Sequence, residues 1–173
     1  MGWRAAQSML GNMHSVARLS YSMKTIVVGL GNPILGDDGI GWKIAETIKQ
    51  QLAPVSPVDV EFLSLGGISL MEHLIGYERA ILIDAVTSDQ KTGSVIVSKL
   101  NEMPDHSAFH IISAHDTSLQ NALKLGREMG ANLPEDVIIV GIATDHVYDF
   151  SEELSLSVME SIPNAIKIVI NLL

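Results

Sequence analysis

From Met23 onward, apolar runs of strand length alternate with stretches whose apolar residues recur at helical spacing. Lys24–Leu30 holds the β-branched run Ile26-Val27-Val28, suited to burial on both faces of a parallel sheet. Ile40–Gln51 places Ile40, Trp42, Ile44, Ala45, Ile48 and Leu52 near one side of a helix, which Pro54 and Pro57 close. VDVEFLSL (58–65) alternates as a strand. After Gly66 and Gly67, Ser69 can cap a short helix through Tyr77. RAILIDAV (79–86) predicts a central strand, and SVIVSKL (94–100) follows after a turn-rich connection too short for a helical crossover. That strand is therefore expected to lie antiparallel at a sheet edge. Residues 101–116 read as a loop, with Asp116 or Thr117 capping a helix that runs to about Gly130. DVIIVGIAT (136–144) predicts another buried strand, and 151–173 a largely helical segment interrupted by Pro163.

This order predicts an α/β three-layer sandwich: a mostly parallel central sheet of about five strands, one antiparallel edge strand and helices on both faces. The simplest winding puts the first three strands in the order 2-1-3. Ligands then bind beyond the C-terminal strand ends, where the winding reverses between strands 1 and 3. Asp37 and Asp38 follow strand 1, and Asp84 ends the apolar run of strand 3. Topology alone thus gathers three carboxylates at one crevice.

Composition narrows the partners. A net charge of −9 without a Lys/Arg cluster excludes nucleic acid as the main ligand. Cysteine is absent, so there is no thiolate metal site or cysteine nucleophile, which fits a reducing, cytoplasmic compartment. No apolar stretch reaches membrane-spanning length. Residues 1–22 differ from the rest: they carry Arg4 and Arg18 and no acid, leaving 9 basic against 20 acidic residues beyond them. They lack the apolar centre of a secretory signal, and Ala6 breaks the myristoylation pattern. We read 1–22 as an N-terminal extension and 23–173 as a single domain.

The glycine-rich stretch GLGNPILGDDGIG (29–41) raises a nucleotide-binding reading first. Gly29 and Gly31 fit a dinucleotide fingerprint, but Ile34 stands where its third glycine belongs, no Walker lysine follows, and two acids oppose a phosphate. A purely structural role is the second reading: one of the two acids caps the following helix and complements its dipole. Asp84 favours a third. A carboxylate ending a buried apolar run is costly unless paired, hydrogen-bonded or metal-bound, and a cation relieves the repulsion among three acids. A neutral loop histidine adds a borderline ligand: His115, with His106, His110 and His146 competing for the role. Two carboxylates and one imidazole suit Ni, Zn, Mn or Fe(II) with positions open for substrate. A serine hydrolase is disfavoured, since Ser113 lies near His115 but no G-x-S-x-G elbow presents it.

GLGNPILGDDGIG (29–41), IDA (83–85) and ISAH (112–115) leading into a helix, in this order, resemble the hydrogenase maturation proteases. Weaker support comes from VGI (140–142) and ELS (153–155), and the resemblance spans most of 24–173. It implies a single α/β domain that removes a short C-terminal extension from the large-subunit precursor of a nickel-iron hydrogenase once nickel is in place. It implies metal contact by Asp38, Asp84 and His115, with nickel brought by the precursor, and proton uptake by Asp37 or Asp38. Asn32, Gly66 and Gly67 are the expected substrate-binding positions, the glycines letting the backbone of the tail approach closely. One departure stands out: members often carry an acid and a threonine around the glycines after strand 2, where this chain has Leu65-Gly66-Gly67-Ile68. The alternative is a metal-binding maturation factor or chaperone on the same fold without proteolysis.

Overall fold

The computed structural model describes residues 23–52, 56–102, 118–145 and 150–173. The expected extension, 1–22, lies outside the described residues, as do His106, His110, His115 and His146. Among the described residues five strands form one sheet: β1 (Thr25–Leu30), β2 (Val58–Leu63), β3 (Arg79–Val86), β4 (Val95–Lys99) and β5 (Asp136–Ala143), in the spatial order β2-β1-β3-β5-β4. All neighbours pair in parallel except β4 and β5, which are antiparallel. The expected sheet, with strand order 2-1-3 and an antiparallel edge, is what the chain forms.

Among the described residues four α-helices cover it: α1 (Ile40–Gln51), α2 (Gly67–His73), α3 (Leu119–Glu128) and α4 (Leu156–Leu172). Strand alternation sorts their contacts. Val27, Ile81, Ile83 and Val140 point to the face covered by α1 and α4, where they meet Ile44, Ile48, Val158 and Val169. Ile26, Val28, Leu82 and Ile139 point to the other face and pack on Leu70, Met71, Ala122 and Leu123 of α2 and α3. β1 and β3 are buried along nearly their whole length, which explains why their sequences show continuous apolar runs.

Three local expectations are corrected. The N-cap of α2 is Gly66, and Ser69 sits inside the helix, which ends at His73 rather than Tyr77. The cap of α3 is Ser118, whose hydroxyl accepts from the Asn121 N–H at 3.3 Å; Asp116 and Thr117 lie outside the described residues. The helix does stop where expected, with Gly130 in the left-handed region at φ 86°. Pro163 does not interrupt α4, which runs unbroken past it. Pro163 and Met159, the residue that loses its N–H partner, both lie on the exposed side of the helix, where water can take the freed carbonyl.

Candidate functional site: the acidic crevice

The chain leaves β1 through a turn that only this glycine spacing permits. Gly31 has φ 116°, and a Cβ there would collide with the Asp38 carbonyl. A Cβ on Gly41 would strike the Leu30 and Ile83 carbonyls, and one on Gly29 would strike Gly41 and the Ala45 side chain. Gly29 and Gly41 therefore let the start of α1 lie directly against β1 and β3. Gly41 takes the close-packing role that a dinucleotide fingerprint gives its third glycine, ten residues after Gly31. Its place at the end of the motif was the available signal.

Between turn and helix, Gly36–Gly39 forms a short 3-10 segment carrying both acids. Asp37 and Asp38 are 1% and 4% exposed, so both carboxylates need partners inside the protein. Neither caps α1, whose N-cap is Gly39. One acid does cap a helix, but a distant one. Asp37 Oδ1 accepts from the backbone N–H of Ser155, the N-cap residue of α4, at 2.6 Å. Asp37 Oδ2 accepts from the Ser155 hydroxyl at 2.8 Å and the Thr144 hydroxyl at 2.6 Å. The positive end of α4 favours a negative charge there. From sequence, Ser155 entered only as the end of ELS (153–155) and Thr144 only as the end of a strand, and neither was linked to Asp37. The signals for such a link were a serine ahead of an apolar helix and a hydroxyl at the end of a buried strand.

Asp38 turns elsewhere, with its Oδ2 accepting from the Asn32 N–H at 2.6 Å. Asn32 closes its own turn by accepting from the Ile34 N–H at 3.2 Å, so its role in the structure is to shape the loop that holds Asp38. Asp84 sits at the crevice end of β3, 3% exposed, and its Oδ1 has no hydrogen-bond partner among the described residues. Burial, and then the nearby charge of Asp38, push its carboxyl well above the usual carboxylate range; the Ala85 backbone N–H acts the other way. The crevice thus brings Asp38 and Asp84 within electrostatic reach. Their partner in the expected triad, His115, lies outside the described residues, and among the described residues no three acidic or histidine side chains converge.

Gly66 and Gly67 close β2 on the same side of the sheet. Gly67 has φ 51°, and Ser64 ties this turn to the acidic one by donating to the Gly31 carbonyl at 2.6 Å. A separate cavity of about 660 Å³ lies at the opposite strand ends, lined by Lys99, Gln120, Arg127 and Asp136, and contains none of these residues. Among the described residues no helix is long and apolar enough to cross a membrane.

Fold and site together define a doubly wound α/β protein whose switch-point crevice is acidic. A sequence model of the hydrogenase maturation protease family, HycI, matches residues 42–172. The chain is 29% identical to the Hydrogenase 2 maturation protease of Escherichia coli over 123 residues, covering 69% of this chain and 73% of that one. It is 25% identical to the hydrogenase expression/formation protein HoxM of Azotobacter vinelandii over 150 residues, 86% and 71% of the two chains. Among solved structures, the hydrogenase maturating endopeptidase HybD of E. coli shares the fold with a TM-score of 0.73 at 23% identity, covering 86% of this chain and 91% of that one. A hydrogenase 2 maturation peptidase from a Thaumarchaeota archaeon superimposes with a TM-score of 0.62 at 27% identity, covering 86% and 96%. The chain belongs to the hydrogenase maturation protease family. By family it is a hydrogenase maturation protease, a peptidase.

Proposed function

We propose that this endopeptidase acts on a nickel-loaded large-subunit precursor, with Asp38, Asp84 and His115 as the groups that meet the metal. The observation that carries the reading is Asp84: a buried carboxylate with an oxygen left unpartnered among the described residues and a second acid, Asp38, close by. Such a pair is unfavourable until a cation lies between its members. Nickel is here part of the substrate and supplies Lewis acidity at the scissile carbonyl or at the attacking water. His115 is the expected third contact, a neutral imidazole that completes a mixed oxygen–nitrogen set suited to a divalent first-row metal. Other divalent ions fit the same donors.

The protein's own residues do the rest. Asn32 fixes the turn that presents Asp38, which takes up the proton of the attacking water. Asp37, with both oxygens already accepting hydrogen bonds, is the lesser candidate for that proton. Gly66 and Gly67 give the tail's backbone room to lie beside the crevice. The absence of thiols and of a membrane-spanning helix among the described residues is consistent with work in the cytoplasm.

The test is incubation with nickel-loaded and nickel-free precursor, followed by intact mass. Loss of the C-terminal extension only from the nickel-loaded form is expected. Equal cleavage of both forms sinks the metal reading, and full activity of His115→Ala removes that histidine from it.

A further inference from the structure

We propose that Thr144 and Ser155, acting through Asp37, form a positioning clamp that fixes Asp38 against Asp84 during processing. The inference rests on the proposed roles of Asp38 and Asp84 and assigns roles to two residues outside that set.

The contacts form a continuous path between the two acids. β3 carries Asp84 and, two residues later, Val86, whose carbonyl accepts from the Thr144 N–H at 3.0 Å. The Thr144 hydroxyl donates to Asp37, and Asp37 is the residue before Asp38. From the other side, Ser155 donates twice to Asp37, through its N–H and its hydroxyl. Two backbone bonds extend the grip: Gly36 N–H to the Ser151 carbonyl at 2.6 Å and Ser151 N–H to the Ile34 carbonyl at 3.2 Å. The acidic segment is therefore held by β5 and by the chain entering α4, neither of which its own β1–α1 unit requires. Asp37 accepts from three donors, geometry suited to holding a carboxylate still. A general base needs an oxygen open to its proton source.

The Thr144 and Ser155 hydroxyls act through Asp37 and touch no reacting atom. Small misplacement of a reacting group is enough to slow a reaction by up to about a hundred-fold, so losing one donor moves rate without destroying the fold. Thr144→Val removes a donor at nearly constant shape, whereas Thr144→Ser keeps it. Asp37→Asn retains the links, since its amide can donate to hydroxyls that rotate to accept.

The experiment uses the full-length protein below its melting temperature, with two readouts: kcat and KM on nickel-loaded precursor, and calorimetric binding of nickel(II) alone. For Thr144→Val, kcat is expected to fall between about ten- and a hundred-fold with KM nearly unchanged. Its nickel(II) affinity is expected to fall about ten-fold, as when an orienting partner behind a metal ligand is removed. Thr144→Ser restores both, and Asp37→Asn keeps part of the activity. Ser155→Ala, which retains the backbone donor, carries the same test with a smaller loss where Thr144→Val melts too low. Wild-type rates and affinities in Thr144→Val overturn the clamp, as does a Thr144→Ser variant as impaired as Thr144→Val. Complete inactivity of Asp37→Asn beside a fully active Thr144→Val returns Asp37 to the role of proton acceptor. If the wild-type protein leaves the precursor intact but the Thr144 variants still order nickel affinity as expected, the substrate reading fails and the clamp stands.

Discussion

Two buried carboxylates of one crevice are treated in opposite ways. Asp37, 1% exposed, accepts three hydrogen bonds from residues more than a hundred positions away. Asp84, 3% exposed, keeps an oxygen with no partner among the described residues and lies near a second acid. Both occupy the same end of the same sheet, so burial alone does not tell a structural acid from a functional one. What separates them is satisfaction. A fully bonded buried carboxylate ties elements together, whereas an unsatisfied one costs stability and persists where another species completes it.

Replacing Asp84 by Asn breaks this contrast most sharply. Processing of nickel-loaded precursor is expected to fall by at least about 10²–10³-fold, the size of loss seen when one electrostatic partner of a transition state is removed. The same substitution is expected to raise the stability of the metal-free protein by about 1–3 kcal/mol at neutral pH, measured by urea unfolding. Because the folded-state carboxyl titrates above its unfolded value, the folded chain holds this proton more tightly than the unfolded one. The native protein therefore gains stability as pH falls through the folded value, and the gain is complete near pH 4. The advantage of Asp84→Asn should shrink over that interval; an advantage that grows on acidification contradicts the assignment.

Asp37→Ala tests the other side and has the opposite sign. It leaves buried donors at Thr144 and Ser155 unanswered and should destabilise by about 3 kcal/mol. A loss below roughly 0.5 kcal/mol, the scale of an ordinary surface change, shows that the clamp is not holding the fold. Gly41→Ala should cost about 1–3 kcal/mol by overpacking, since the new methyl meets backbone that cannot turn away. An unchanged melting temperature means α1 can move off β3. The smallest effect belongs to the surface control. Tyr77 donates to Asp59 at 2.8 Å, and burial, followed by that bond and its charge, pushes the phenol up to about 12. Any stabilisation is intact below pH 10 and is lost as pH rises from 10 through about 12. In Tyr77→Phe that pH dependence should vanish, with stability near pH 7 altered by about 1 kcal/mol or less.

The sheet was legible because burial on both faces writes itself as apolar runs: β3 and α1 have the expected bounds, and the short 87–94 connection already required an antiparallel edge. Helix ends were less legible, since a cap is decided by one backbone geometry. Gly66 rather than Ser69 starts α2, and Ser118 caps α3. Pro163 was read as a break because sequence does not show that its side of α4 faces water. The two acids were recognised and given different roles, one as a helix cap and Asp38 as the expected metal contact, but the helix that Asp37 meets is α4 rather than α1. Nothing periodic links Asp37 to Thr144 or Ser155, since that pairing exists only after β5 and α4 have docked. The cap expected at α1 was the local answer to a question the fold solves at long range.

The Asp37–Ser155 link spans 118 residues of chain. During synthesis the acidic turn emerges early and waits for the N-terminus of α4, which is made last among its partners. Contacts of such separation carry a loop-closure cost that local contacts do not. The crevice therefore has its final geometry only once the segments carrying Thr144 and Ser155 have docked. A partly folded chain displays the acids without the bonds from Thr144 and Ser155 that hold Asp37.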